Sequence, residues 1–149
     1  MKPADQRLID RGKGDCLSAC VASILEIPTE EVPQFVRIRA EGGDTWFHQL
    51  WDFLAPRGLR PASLDVVTYE RPWVGRWADK KPRYAIASGK SPRWNGTVCH
   101  AVVWEDGKGI VHDPHPSRDG LRCAPEGFIV MVDLATYDAP MAGSFDGDD

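Results

Sequence analysis

The hydrophobic pattern of the chain changes at residue 58. Before it, apolar residues recur at helical spacing, as in Leu17, Cys20, Val21 and Ile24. After it, short β-type runs are separated by Gly, Pro and Asn. A chain with helices first and strands second is typical of an α+β domain, in which helices pack on a mainly antiparallel sheet.

One domain is expected over residues 1–137. The 149-residue chain is 42% hydrophobic, which is enough for a buried core. Residues 138–149 contain four Asp and only one large apolar side chain other than methionine, so we expect a flexible acidic tail there.

Turn and capping signals divide the domain into elements. The first helix is predicted to begin with Asp15 as its N-cap, a short second helix begins at Thr29, and another begins at Asp44 or Thr45 and ends before Gly58. We expect a loop over Tyr69–Lys81 and strands over Ala62–Thr68, Arg83–Ser88, Val98–Trp104, Gly109–His112 and Phe128–Leu134.

Charge and hydropathy narrow the cellular setting. The net charge is −4 without any basic run, so neither nucleic acid nor an anionic membrane is expected as a partner. We find no apolar signal region at the N-terminus and no apolar run long enough to span a membrane, which predicts a cytoplasmic protein. Its four cysteines are then expected to be thiols: Cys16, Cys20, Cys99 and Cys123.

Cys16 lies one residue after the predicted N-cap of the first helix. Unpaired backbone N–H groups and the positive end of the helix dipole favour a thiolate there. Gly12 and Gly14 allow a tight turn that would leave the sulfur accessible. The segment alone is equally compatible with a buried, inert thiol. Cys20, one turn later on the apolar stripe, is expected to be buried.

A predicted hairpin brings a histidine to an aspartate. Asp106-Gly107 is typical of a two-residue turn between two apolar runs. With that turn, His100 and Asp113 lie directly opposite each other, with Cβ atoms roughly 4.5–5.5 Å apart. At this separation the carboxylate can accept a hydrogen bond from the imidazole.

Strand alternation places the neighbouring residues elsewhere. Cys99 is expected on the face opposite to His100, as a core residue. His115 follows Pro114 in a turn-like segment and is expected to be an exposed loop histidine.

Three residues could together perform nucleophilic catalysis. Cys16 would be the nucleophile, His100 the base that takes its proton, and Asp113 the acceptor that orients the base. The sequence pattern does not by itself bring Cys16 and His100 together in space.

Two stretches resemble the papain-like cysteine peptidase superfamily. They are GDCLSACVASILEIPTEEVPQF, and CHAVVW followed by VHDP. The chain is most similar to the bacterial and phage C39-like, or double-glycine-peptidase-like, proteins. The resemblance covers residues 6–35 and 98–116, whereas residues 36–97 are not matched. It implies a papain-like fold, with a helical N-terminal part that carries the cysteine and a C-terminal sheet that carries the histidine and aspartate.

The resemblance also implies residue roles. Cys16 corresponds to the nucleophile, His100 to the base and Asp113 to the orienting residue. Gln6 is the only glutamine before Cys16, so its side-chain amide would help to form the oxyanion hole together with the Cys16 N–H. The two residues are ten positions apart, more than in papain, so Arg7–Gly14 would have to loop out.

The expected function is that of a thiol-dependent hydrolase. It would cleave amide, isopeptide or related acyl bonds of a protein or peptide substrate through an acyl-thioester, without metal or cofactor. Deamidation and acyl transfer use the same intermediate and stay open, as does the oligomeric state. Another alternative is a catalytically silent binding module that uses the acidic surface and the tryptophans Trp73, Trp77 and Trp94.

A metal site is a further alternative, but the cysteine spacing disfavours it. The ligands would be Cys16, Cys20 and His100 with Cys99 or Cys123. The first two cysteines lie on one helix without a paired C-x2-C motif, and Cys99 is predicted to point away from His100.

Overall fold

The structure is a computed structural model that describes residues 1–9, 14–35 and 45–137. Its α-helices are α1 (Cys16–Leu25), α2 (Trp46–Leu54), α3 (Val66–Glu70) and α4 (Leu134–Tyr137). Its strands are β1 (Leu59–Leu64), β2 (Tyr84–Lys90), β3 (Cys99–Glu105), β4 (Gly109–His112) and β5 (Gly127–Asp133). The predicted tail, residues 138–149, lies outside the described residues.

The strands form one antiparallel sheet in the order β1-β5-β2-β3-β4. Helices α1 and α2 pack on one face, where Val21 and Leu50 meet Ile86 and Val103 in a fully buried core. On the other face, the Tyr69 ring of α3 stacks on Phe128 of β5 at 4.0 Å between centroids. The predicted α+β class is therefore confirmed.

The helical predictions hold, with shifts at the ends. Of the two proposed starts for α2, the structure has Thr45 as the N-cap, whose hydroxyl accepts a hydrogen bond from the His48 N–H at 3.4 Å. The predicted Asp44 start lies outside the described residues. The short helix after Pro28 is a 3-10 turn, Thr29–Glu31.

The predicted strand Ala62–Thr68 was wrong at both ends. β1 already begins at Leu59, directly after Gly58, and ends at Leu64. Asp65 then caps α3, because its carboxylate accepts a hydrogen bond from the Thr68 N–H at 2.7 Å. This cap converts the second half of the apolar run into a helical turn, so the predicted Tyr69–Lys81 loop begins inside α3. The other four predicted strands are present, and their ends differ by no more than two residues.

The described helices are short. None of those in residues 1–9, 14–35 and 45–137 has the length and apolar character needed to cross a membrane.

Candidate active site

The two cysteines of α1 lie in different environments. Cys16, the first residue of the helix, is partly exposed and borders an open cleft. Cys20, one turn later, is fully buried in the core, and its burial raises the pKa of its thiol well above the ordinary value. The predicted burial of Cys20 is confirmed, and Cys16 is the accessible thiol of this helix.

Asp15 ties the N-terminal segment to the start of α1. Its Oδ1 accepts hydrogen bonds from the backbone N–H groups of Arg7 and Leu8, both at 2.9 Å. Its own N–H donates to the Leu8 carbonyl at 3.3 Å. Asp15 is thus the N-cap residue, as predicted, but its side chain makes no capping hydrogen bond to the helix. Instead it closes the gap between the Arg7-Leu8 backbone and the start of α1.

This closure brings Gln6 into the cleft that contains Cys16. The Gln6 backbone N–H donates to the Pro114 carbonyl at 3.0 Å. Its side-chain Nε2 donates to the Leu8 carbonyl at 2.7 Å, which leaves the second N–H of the amide for another acceptor. The contacts of Asp15 with Arg7 and Leu8 therefore bring Gln6 to the start of α1 despite the long spacing in sequence.

The β3–β4 hairpin differs from the predicted one. Glu105 pairs with Gly109, and the Lys108 N–H donates to the Glu105 carbonyl at 3.0 Å, so the loop has three residues rather than two. Farther along, Trp104 pairs with Ile110 but Val103 pairs with His112. One extra residue therefore bulges out of β4 at this point.

The two irregularities cancel in their effect on side-chain direction. Each shifts the register by one residue, and a one-residue shift alone would move Asp113 to the other face of the hairpin. The two shifts together keep Asp113 on the same face as His100, at the diagonal position rather than directly opposite. Asp113 also lies one residue beyond the end of β4, in the following loop and not in the sheet.

His100 and Asp113 form a buried hydrogen bond. The His100 Nε2 lies 2.7 Å from the Asp113 Oδ1, and both residues are about 95% buried. Asp113 also accepts the backbone N–H groups of His115, at 2.9 Å, and Gly120, at 2.7 Å. Burial alone would raise the pKa of Asp113, but these three hydrogen bonds outweigh it and lower that pKa. Because the carboxylate is an acceptor, the Nε2 of His100 carries the proton, and Nδ1 is the ring nitrogen left for Cys16.

Cys16 and His100 line the same cleft and interact there. Burial of His100 disfavours its charged form. The hydrogen bond to Asp113 and the interaction with the Cys16 sulfur outweigh this effect and raise the pKa of His100 to about 9. The imidazole therefore keeps its extra proton through neutral pH, beside the sulfur.

The cleft over these residues has a volume of about 310 Å³. It contains all the predicted site residues except Asp113, which lies behind the imidazole. Its described lining consists of Gln6, Ile9, Gly14, Cys16, Ser91, Arg93, Trp94, Val98, Cys99, His100 and His115.

Two predictions about residues near His100 were wrong. Cys99 is exposed and borders the cleft. It is the first residue of β3, and at this end of the sheet the strand borders the cleft instead of the core. His115 is partly buried, and its ring packs edge-on against His100 with centroids 6.2 Å apart. The hydrogen bond from the His115 backbone to Asp113 folds the loop back. The two-residue spacing between them in the sequence does not predict this bond.

Arg93 was not predicted as a cleft residue, and Trp94 was named for the binding-module alternative. They lie in the loop between β2 and β3, a part of the sequence that matches no pattern. The proximity of an Asn-Gly turn to His100 is the only sequence signal that points to them.

In the part of the chain that the structure describes, no group of three or more His, Cys, Asp or Glu side chains is arranged to hold a metal ion. Comparisons of the chain with models of protein families, with curated proteins and with solved structures found no match.

Proposed function

We propose that the protein is a thiol-dependent hydrolase that cleaves an amide, isopeptide or related acyl bond of a protein or peptide substrate. The observation that carries this proposal is that Cys16 and His100 interact at one open cleft, while a 2.7 Å hydrogen bond joins His100 to Asp113. A nucleophile, a base and a residue that orients the base are the parts that covalent acyl chemistry requires.

The proposed reaction begins when the Cys16 sulfur, whose proton is held by His100, attacks the substrate carbonyl. The second N–H of the Gln6 amide and the backbone N–H of Cys16 would stabilise the negative charge that develops on the carbonyl oxygen. His100 then donates its proton to the leaving nitrogen as the C–N bond breaks, which leaves an acyl-thioester on Cys16. Water, deprotonated by His100, releases the acyl group.

The architecture supports a papain-like fold for the proposed hydrolase. The cysteine opens a helix that packs on an antiparallel sheet, and the histidine lies near the start of a strand of that sheet. The structure differs from the expected pattern in one respect, since Asp113 follows its strand instead of lying within it.

Alkylation tests the site without a known substrate. We expect iodoacetamide to label Cys16 of the native protein faster than the exposed Cys123, and to leave the buried Cys20 unlabelled until the protein unfolds. His100→Ala should slow labelling of Cys16 but not of Cys123, which serves as the internal control. Mass spectrometry of peptides gives all these rates in one experiment.

Acyl transfer from p-nitrophenyl acetate tests the chemistry. We expect a burst of p-nitrophenolate equal to the protein present, with one acetyl group on Cys16. Cys16→Ser should abolish the burst, and Cys123→Ser should keep it. Equal labelling of Cys16 and Cys123, with no acetyl-Cys16, would contradict the proposal and favour the binding-module alternative.

A further inference from the structure

The wall of the cleft beside His100 carries one fixed positive charge. The loop between β2 and β3 contributes Arg93 and Trp94 to this wall. The described residues that line the cleft include this guanidinium and no carboxylate. In a protein with a net charge of −4, such a cleft attracts an anionic group of a ligand.

Arg93 has hydrogen-bonding capacity to spare. Its Nη1 donates to the Ser117 hydroxyl at 3.1 Å. Its Nε is buried and has no hydrogen-bond partner among the described residues, none of which forms an ion pair with it. A guanidinium has five N–H donors in a planar fork that fits a carboxylate, and a buried donor without a partner is unfavourable until a ligand supplies one.

His115 shows on which side of the cleft Arg93 lies. The His115 ring contacts His100, and burial together with the charge of Arg93 lowers the pKa of His115. The Ser117 N–H donates to the His115 Nδ1 at 3.0 Å, so the proton of the neutral ring is on Nε2. Arg93 thus lies on the His100 side of the cleft, and a general acid must lie within hydrogen-bond reach of the leaving nitrogen.

The backbone beside Arg93 is held in an unfavourable conformation. Trp94 and Asn95 have φ values of 53° and 54°, and a bulky residue such as Trp rarely adopts a positive φ. The Thr97 hydroxyl donates to the Trp94 carbonyl at 2.6 Å and stabilises this turn. Strain of this kind is concentrated at binding and catalytic sites. The Trp94 side chain is 39% exposed at the cleft, next to Arg93.

We propose that Arg93 forms a carboxylate-binding subsite on the leaving-group side of the cleft. The hydrolase then prefers bonds whose leaving amine carries a carboxylate in the residue directly after the bond. That carboxylate is either the free α-carboxylate of a C-terminal residue or the side chain of Asp or Glu. This inference rests on the proposed function, because it requires an acyl-enzyme on Cys16.

The subsite can be tested by running the leaving-group step in reverse. Acetyl-Cys16, formed from p-nitrophenyl acetate, is mixed with an amine that competes with water. The amine nitrogen attacks the thioester carbonyl, the C–S bond breaks as the C–N bond forms, and the amine proton passes to His100. Glycine is compared with glycinamide to test an α-carboxylate. Aspartic acid α-amide is compared with asparagine α-amide to test a side-chain carboxylate.

The readout is the ratio of rate constants for the charged and the neutral amine, compared between proteins so that differences in amine basicity cancel. In at least one pair we expect Arg93→Gln to lower this ratio roughly tenfold, the usual size for a charge-assisted hydrogen bond. Arg93→Lys should keep part of the preference. Arg71→Gln, an exposed arginine away from the cleft, should keep all of it.

The outcomes separate the two proposals. A ratio that is the same in the wild type and Arg93→Gln for both pairs, on an acetyl-enzyme that forms normally, would overturn the subsite and leave the proposed function intact. Failure of the wild-type protein to form acetyl-Cys16 would overturn the proposed function, and the subsite with it. Circular dichroism and labelling of Cys16 by iodoacetamide would verify that each variant is folded.

Discussion

At the scale of single residues, the buried imidazole of His100 interacts with both Asp113 and Cys16. Its imidazolium is stabilised by the hydrogen bond from Nε2 to Asp113 and by the interaction with Cys16. A histidine with a pKa of about 9 is charged at neutral pH, so it can donate a proton to a leaving amine. That capacity is lost as the pH rises through this value.

NMR titration of the His100 ring measures this property directly. We expect a pKa of about 9 in the wild type, which falls in Cys16→Ala because the interaction with the sulfur is removed. His48, exposed on α2, is the control for the substitution. A wild-type His100 that titrates at the ordinary value of 6.5 would contradict the interactions of His100 with Asp113 and Cys16.

Asp113 should contribute to stability in a pH-dependent way. Its folded-state pKa is lower than 3.8, so its contribution is fully present above that value and is lost as the pH falls through the lowered folded pKa. We expect Asp113→Asn to reduce the free energy of unfolding at pH 7 by about 3 kcal/mol, because a buried partner of a charge is removed. Urea unfolding should show that the difference shrinks below about pH 4. The exposed Asp79→Asn is the matched control, and an equal effect in both variants would contradict the prediction.

At the scale of elements, two aspartates in N-cap positions have different hydrogen-bond partners. Asp65 caps α3 in the ordinary way, whereas Asp15 binds the backbone of the N-terminal segment. These hydrogen bonds to Asp15 hold the segment that carries Gln6 near Cys16. The two residues therefore form a matched pair for mutation.

Asp15→Ala should affect both stability and acylation. We expect it to cost about 2–4 kcal/mol of unfolding free energy, because two hydrogen bonds to a buried carboxylate are lost. Acylation of Cys16 should slow roughly 10- to 100-fold as Gln6 loses its position. Asp65→Ala should cost about 1 kcal/mol and leave acylation unchanged.

A double-mutant cycle shows whether Gln6 transmits the effect. If it does, adding Gln6→Ala to Asp15→Ala should slow acylation little further, although Gln6→Ala alone slows it. Fully additive effects of the two substitutions on the acylation rate would contradict the link.

The sequence predicted the elements better than their connections. The periodicity of α1 and α2 and the apolar runs of β2 to β5 were sufficient, because propensity and burial act together there. The prediction failed in the run after Gly58, where one capping hydrogen bond from Asp65 overrode the β-type composition. It failed again at the hairpin, because neither the three-residue loop nor the bulge has a sequence signature.

The site residues illustrate the same limit. Contact between His100 and Asp113 is present, although the register from which it was predicted is not. Arg93 and His115 were missed, since their positions depend on loops that tertiary contacts fold back over the cleft.

At the scale of the whole molecule, the N-terminal segment joins the helical layer to the loop behind the candidate site. The Ala4 N–H donates to the Ser23 hydroxyl of α1 at 2.9 Å. The next residue, Asp5, accepts two hydrogen bonds from the Arg118 guanidinium, at 2.6 and 2.9 Å, and Arg118 also donates to the Asp113 carbonyl at 2.6 Å. An ion pair thus reinforces the Gln6–Pro114 hydrogen bond between the N-terminal segment and the loop that carries Asp113.

Breaking this ion pair should loosen the site more than the fold. We expect Arg118→Gln to slow acylation of Cys16 a few-fold and to change the free energy of unfolding little, because the pair is exposed. Lys108→Gln, which removes the ion pair between the exposed Lys108 and the buried Glu105 far from the cleft, is the control. High salt should reproduce the effect of Arg118→Gln in the wild type, and a salt-independent wild-type rate would contradict the prediction.

The three-residue loop of the β3–β4 hairpin and the bulge of β4 should occur together in variants of this protein. Deletion of Lys108 alone would shift the register by one residue, so every following side chain of β4 would point to the opposite face. Asp113 would then lie on the face away from His100. Loss of Lys108 together with Val111 would restore the original orientation. Among natural variants of this hairpin, length changes that preserve the His100–Asp113 pair should therefore come in twos.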